Sequence, residues 1–249
     1  MNVKLTIAYE GTHFYGWQNN LSERSVEWEL KKALELILNH SIVLQAASRT
    51  DRGVHANAQV VNFFTYDSLN LEQLVTSLNT ILDPDIRILS AQKGSDTFHP
   101  TLDVKSKQYR YIISTAKVRQ PDKRRVSWHF PYITSLANMK EAAKLIVGSH
   151  NFSGFSNGYE FNKNPYCTIH AIKFEEFHQE LHIVLLGDRF LYKMVRIIVG
   201  TLAYIGSGKL KAVVIDEIFS SLDRKKGGVT APAEGLVLDR IFYDSFPVC

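Results

Sequence analysis

The sequence predicts an α+β fold: two ferredoxin-like βαββαβ halves with mostly antiparallel sheets, able to merge into one extended sheet, and an active-site cleft between them. Two observations carry this reading. Strands and helices recur in the same order in each half, and no low-complexity linker marks the point where the order restarts. Residues 3–9 (VKLTIAY) are rich in β-formers and partly alternate, which suits a first strand. A helix then starts at Val26. Ser25 can cap it, Glu27 and Glu29 suit the positive end of its dipole, and Val26, Leu30, Ala33, Leu34, Ile37 and Leu38 form an apolar stripe. Residues 42–48 (IVLQAAS) and 59–65 (QVVNFFT) read as two strands joined by the loop RTDRGVHA. Asn70 and Gln73 suggest a capping box for a helix over 71–82, with Leu71, Leu74, Val75, Leu78 and Leu82 inward. Asp83-Pro84 stops that helix, and IRILSA (86–91) is the next strand.

The second half opens with a strand at QYRYIIST (108–115) and offers another short one at VSWHFPY. A helix from Leu136 to Val147 closes at Gly148, and strands follow over 168–177 and 180–187. Asp188 is placed to cap a helix that runs through Ile205 to Gly206. A short helix over 211–222 and a last strand, GLVLDRIFY (235–243), complete the order. Residues 1–102 and 103–249 are accordingly read as two α/β domains, with the boundary near 100–106.

Composition narrows the class. The chain has 249 residues, 45% hydrophobic and 22% charged, as in ordinary soluble proteins. Two cysteines, Cys167 and Cys249, build neither a disulfide framework nor a CxxC zinc site, which fits a reducing cytoplasm. MNVKLTIAYEG lacks the long apolar segment of a secretory signal, and the apolar run 197–205 is too short to span a bilayer, so no membrane association is expected. The sequons at Asn39 and Asn151 carry no meaning in that setting. Net charge is only +4, yet between Lys105 and Arg125 there are eight cations and one acid. Charge gathered in this way is the footprint of a polyanionic partner, although a solvated basic loop has the same composition.

Three places concentrate chemistry. In Ser48–Ala56 (SRTDRGVHA), one carboxylate, Asp51, lies between Arg49 and Arg52 and precedes Gly53, where the backbone can turn tightly; His55 follows. Nearby cations favour the ionised carboxylate and leave it able to act as a nucleophile; an exposed turn with a local ion pair is the plainer alternative. In KQYRYII, period-2 geometry puts Tyr109, Tyr111 and Ile113 on one strand face and Arg110 on the other. The stretch from Arg189 is apolar nearly all round, as in a buried helix, while Arg189, Lys193, Arg196 and Gly200 fall on one helical stripe. A mid-helix Arg196 calls for an anionic partner, and Asp51 across the cleft is the nearest sensible one; Arg189 and Lys193 can snorkel to solvent.

These motifs resemble those of the tRNA pseudouridine synthase A family. SRTDRGVHA is similar to its GRTDAGVHA signature, KQYRY to KxYRY, and FLYKMVRIIVG to F-x-x-x-MVR-x-IVG. YEGTHFYGWQ (9–18) resembles Y-D-G-T-x-F-x-GWQ, NFSGFS (151–156) resembles D-F-[ST]-x-F, and APAEGLVL (231–238) resembles APAEGLYL. The match runs in order along nearly the whole chain. It implies conversion of uridine to pseudouridine in the anticodon stem-loop of tRNA, at tRNA positions 38–40, by a cytoplasmic homodimer without metal or cofactor. It also implies that Asp51 is the catalytic nucleophile, that Arg196 pairs with it, and that Tyr109 contacts the target base. The reaction breaks an N-glycosidic bond, turns the base and rejoins it through carbon, with Asp51 attacking sugar or base or stabilising a cation-like sugar. The uridine must leave its stack, and Arg49 is a candidate to fill the gap, a phosphate contact or a structural ion pair being its alternatives. Arg52, His55 and Lys193 are further candidates for substrate binding, His55 chiefly by ordering the loop.

Four departures bear on substrate range and loop positioning: Ser48 and Arg52 replace Gly and Ala of the signature, FHPT (98–101) stands for FHAR, and Tyr166-Cys167-Thr168-Ile169 lacks the Arg of RTI. Gly206–Leu210 (GSGKL) is no phosphate loop, since it follows a helix and has Leu where Ser or Thr would bind magnesium. His55 has no HxxxH or HExxH partner, so no metal role is expected. Two other classes compete: a non-catalytic RNA-binding protein, which lacks the RNP1 aromatic signature and leaves Asp51 with Arg196 unexplained, and a glycosidase, which usually needs two paired carboxylates.

Overall fold

A computed structural model describes residues 1–18, 23–66, 68–158 and 164–244. The chain forms two compact units: Met1–Lys105 together with the chain from Val237 onward, and Ser106–Leu236. In the first unit, β1 (Asn2–Tyr9), α1 (Val26–Leu38), β2 (Gln45–Ala46), β3 (His55–Phe64), α2 (Leu71–Ile81) and β4 (Ile86–Lys93) follow one another as βαββαβ. The alternation along β1 buries Val3, Leu5 and Ile7 on one face. Strand β1 pairs antiparallel with both β3 and β4, and β2 adds a short antiparallel rung to β3. Ser25 caps α1 by accepting from the Trp28 N–H, and Asn70 caps α2 by accepting from the Gln73 N–H, so two helix starts lie where the caps place them. Leu30, Leu34 and Leu78 carry the helices onto the sheet.

The second unit contains β5 (Ser106–Ser114), β6 (Trp128–His129), α3 (Leu136–Lys144), β7 (Gly148–Asn151), β8 (Tyr166–Phe177), β9 (Glu180–Gly187), α4 (Met194–Gly206) and α5 (Val214–Ser221). Its sheet runs β5-β9-β8-β7, all antiparallel, with β6 beside β5 in parallel. The fold class is thus mixed α+β with mostly antiparallel pairing. Helix α4 is buried on nearly every side, and a Cβ at Gly200 would overlap the Val229 carbonyl oxygen. That contact lets the segment 227–231 lie directly on the helix, where Thr201 Oγ1 accepts from the Gly228 N–H at 3.0 Å.

The observed elements differ from the sequence reading at several points, one of them β7, which follows α3 where the reading had no strand. Strand β2 is two residues rather than 42–48: Ile42 and Leu44 are buried, Gln45 and Ala46 pair with β3, and the Ala47 N–H adds one bond to the Val60 carbonyl at 2.8 Å. Strand β3 starts at His55, so that residue belongs to the sheet and not to the loop. The helix expected from Asp188 starts at Met194. Asp188 is engaged elsewhere, its Oδ1 accepting from the Thr168 N–H at 2.9 Å and the Arg189 N–H at 2.6 Å, and Lys193 adopts φ 58° just before the helix. The last strand, β10 (Leu236–Phe242), pairs parallel with β3 through Val237↔His55 and Leu238↔Ala56, which puts residues from 237 with the first unit rather than with 103–236. Cys249 lies outside the described residues.

Gly200→Ala is expected to cost about 1–3 kcal/mol, because either the helix or the 227–231 segment must yield. Urea unfolding measures this, and an unchanged midpoint would show that the contact is slack.

Candidate active site

Asp51 sits on a turn that two distant stretches of the first unit build together. The Val54 N–H closes the turn onto the Asp51 carbonyl at 3.1 Å, and Gly53 takes φ 78°, a region open chiefly to glycine. Residues 11–17 then lie against this loop through their backbones. Gly53 N–H donates to the Phe14 carbonyl at 3.2 Å, and Trp17 N–H donates to the Thr50 carbonyl at 3.1 Å. At Gly11 a Cβ would overlap the Val54 carbonyl, and at Gly16 it would come within 2.6 Å of the Thr50 oxygen. The same stretch organises α1, since the Gly16 and Trp17 carbonyls accept from the Val26 and Glu27 N–H groups that open the helix.

Side chains complete the frame. Thr50 is buried and its Oγ1 lies 2.8 Å from the Tyr9 hydroxyl. His55 is 5% exposed, and its Nδ1 accepts from the Gly11 N–H at 2.9 Å, with Glu10 Oε1 3.8 Å away. His55 thereby ties the Gly11 backbone to the first residue of β3. Gln59 grips the other end of the loop, exchanging hydrogen bonds with the Ser48 N–H and carbonyl. Thr50 and Asp51 differ accordingly: the first is buried, while the second is half-buried.

The two flanking arginines do not bracket Asp51 as an ion pair. Both are exposed, and neither forms an ion pair among the described residues. Arg52 instead lies over the Tyr15 ring, its guanidinium carbon 4.0 Å from the centroid. A third arginine, which sequence reasoning passed over, does the local work. Arg24 stacks on Phe14 at 4.5 Å and bridges Glu29, Asp83 and Asp85, tying the start of α1 to the loop before β4. Tyr9, Gly11 and Gly16, also passed over as site residues, fall within the stretch 9–18 that carried the resemblance, which was the available signal.

In the second unit, Tyr109, Tyr111 and Ile113 share one face of β5, as the alternation predicts, and all three are buried. Tyr109 is 6% exposed and meets Phe190 edge-on, ring centroids 5.1 Å apart. Because α4 starts at Met194, Arg189 and Lys193 share no helical stripe with Arg196; Lys193 lies over the Tyr192 ring at 4.8 Å. Arg196 is half-buried rather than fully buried. Its Nε donates to the Ala231 carbonyl at 2.7 Å, and the Ala231 N–H returns a bond to the Arg196 carbonyl at 3.0 Å. Ala231 opens the APAEG segment, so two resemblance motifs meet here as well. The GSGKL stretch closes α4, with Lys209 lying over the Tyr204 ring at 4.9 Å. Among the described residues, no group of three His, Cys, Asp or Glu side chains is arranged to hold a metal, and no helix is long and apolar enough to cross a membrane.

Chain-wide comparison assigns the class. The family model described as tRNA pseudouridine synthase matches residues 5–102 and 142–244. The chain belongs to the tRNA pseudouridine synthase family, and is an isomerase of that family. It is 49% identical to tRNA pseudouridine synthase A 2 of Protochlamydia amoebophila (strain UWE25), over 97% of this chain and 94% of that one. It is 38% identical to tRNA pseudouridine synthase A of Thermoanaerobacter sp. (strain X514), over 97% and 99% of the two chains, and 37% identical to that of Bacillus pumilus (strain SAFR-032), over 98% and 100%.

Burial displaces several groups in the second unit, Cys167 and Lys107 among them. Cys167 is pushed up to about 11, mainly by desolvation, so it stays an unreactive thiol at neutral pH. Burial, with the Arg189 charge second, pulls Lys107 down to about 8. Between that value and the ordinary lysine range the unfolded chain holds a proton that the folded chain lacks, so stability gains from Lys107 as pH rises through that window. The urea midpoint of Lys107→Met, compared with wild type from pH 8 to 10, is expected to rise less steeply; parallel profiles would contradict this.

Proposed function

We propose that this protein converts uridine to pseudouridine in the anticodon stem-loop of tRNA, as a cytoplasmic homodimer, with Asp51 as nucleophile. The observation that carries this reading is the half-exposed carboxylate on a turn fixed by both 11–17 and 48–59, in a chain of this family. A rigid mount for a partly exposed carboxylate is what covalent or electrostatic work at a sugar carbon requires. Breakage of the C1′–N1 bond releases the base, which turns and bonds C1′ through C5. The hydrogen at C5 leaves to solvent and N1 gains a proton, so the net change is an isomerisation.

Arg196 is the group proposed to pair with Asp51. Its Nε bond to Ala231 orients the guanidinium plane, and a guanidinium fork has the geometry suited to a carboxylate. Tyr109 is proposed to stack on the flipped base, since its neighbour Phe190 holds the ring edge-on. Arg49, exposed beside Asp51, is proposed to fill the space the base leaves; Arg52 and Lys193, each resting on a tyrosine, are proposed to meet the RNA backbone.

The loop after β5 supplies a further phosphate-facing surface in this reading. Lys123 pairs with Glu180 at 3.0 Å and Arg119 lies 3.8 Å from Glu234, while Lys117, Arg124 and Arg125 are exposed. Replacing both Arg124 and Arg125 by Ala should lower the slope of log affinity for tRNA against log salt by about 1–2. An unchanged slope would remove this loop from the interface.

One assay tests the chemistry. With tRNA tritiated at uridine C5, the wild type should release tritium and Asp51→Asn should not. Release from neither would indicate binding alone, and free uracil would indicate hydrolysis. Arg196→Ala is expected nearly to abolish release while tRNA binding largely survives; near-normal turnover would end its proposed pairing with Asp51.

A further inference from the structure

The second tyrosine of KQYRY has a part in the site that its burial conceals. Tyr111 is fully buried and its hydroxyl donates to the Pro232 carbonyl at 2.7 Å. The next carbonyl back along the chain, that of Ala231, is the one that accepts from Arg196 Nε at 2.7 Å. Tyr111 and Arg196 therefore hold adjacent peptide carbonyls of one segment. Three further contacts make that segment a taut strap across the second unit. Ala231 N–H bonds back to the Arg196 carbonyl, Thr201 Oγ1 accepts from Gly228 N–H, and a Cβ at Gly235 would come within 2.6 Å of the Tyr111 ring.

We propose that Tyr111 is a positioning residue: its hydroxyl fixes the Pro232–Ala231 peptides and through them sets the direction of the Arg196 guanidinium. The inference rests on the proposed catalytic role of Arg196 and goes beyond it by naming what aims that group. Side-chain chemistry agrees. Burial, and then the Glu234 charge, hold the phenol well above its ordinary range, with the Arg196 charge acting in the opposite sense. The hydroxyl thus remains a donor throughout any working pH, as a fixed strut must. With the Pro232 carbonyl released, the adjoining Ala231 peptide that holds Arg196 is free to swing, and misplacement of a catalytic group by about 1 Å costs about 100-fold in rate.

The test is a double-mutant cycle on tritium release from C5-tritiated tRNA, with wild type, Tyr111→Phe, Arg196→Lys and the double variant. Lysine keeps the charge but has no Nε to bond Ala231. Tyr111→Phe should lower kcat about 10- to 100-fold with KM and tRNA affinity unchanged, and should cost less than about 3-fold in the Arg196→Lys background. Equal losses in both backgrounds would show a merely structural role and overturn the proposal, as would wild-type kcat in Tyr111→Phe. If Tyr111→Phe does not fold, Thr201→Ala loosens the same strap at Gly228. It should show the same loss of kcat at constant KM, restored by Thr201→Ser; a loss of affinity or no loss would overturn the proposal. Normal turnover in Arg196→Ala would instead remove the reading of Arg196 on which this inference stands, so the two failures are distinct.

Discussion

The constraint on which the first unit depends is backbone lying on backbone, without a side chain between. Gly11 and Gly16 bring residues 11–17 into direct contact with the loop 50–54, and hydrogen bonds from Gly53 and Trp17 lock that contact. A loop of this kind would ordinarily be the most mobile part of a small domain. Here its donors and acceptors are spoken for by neighbours that are themselves fixed to the sheet and to α1. Asp51 gains its orientation from this arrangement and not from any pairing with the arginines beside it.

The second unit reaches a similar end by another route. Gly200 clears the way for the 227–231 segment to settle on α4, and the Ala231 carbonyl then takes hold of Arg196. Both candidate functional side chains are thus mounted on backbone carbonyls and amides that glycine allows to come close. Main-chain struts are stiffer than side-chain ones because they bring no rotamers of their own. That stiffness suits the proposed roles of both side chains, which ask for charged groups held at fixed positions.

Much of the fold was legible in the sequence. Ser25 and Asn70 cap helices because their side-chain oxygens satisfy amides that no helix can satisfy alone, and that signal is local. Period-2 burial along β1 and β5 was equally local. The start of α4 was not. Asp188 has the chemistry of a cap, but its carboxylate is drawn to Thr168, a residue on another strand whose nearness no local pattern reveals. The partner of β10 was hidden for the same reason, since alternation identifies a strand but not the edge it joins. At the site, the loop around Asp51 stood out as a motif, whereas the engagement of Arg52 with Tyr15 and the work of Arg24 depend on which loops touch.

The parallel pairing of Val237 with His55 has a temporal consequence. A ribosome delivers residues 1–105 first, yet the outer neighbour of β3 arrives only after all of 106–236 has been made. Until then the strand that roots the Asp51 loop presents open amides and carbonyls at its His55 end. Closing so wide a span of chain is entropically slow. The unit that carries Asp51 is therefore begun first and is completed only once residues from 237 are in place beside β3.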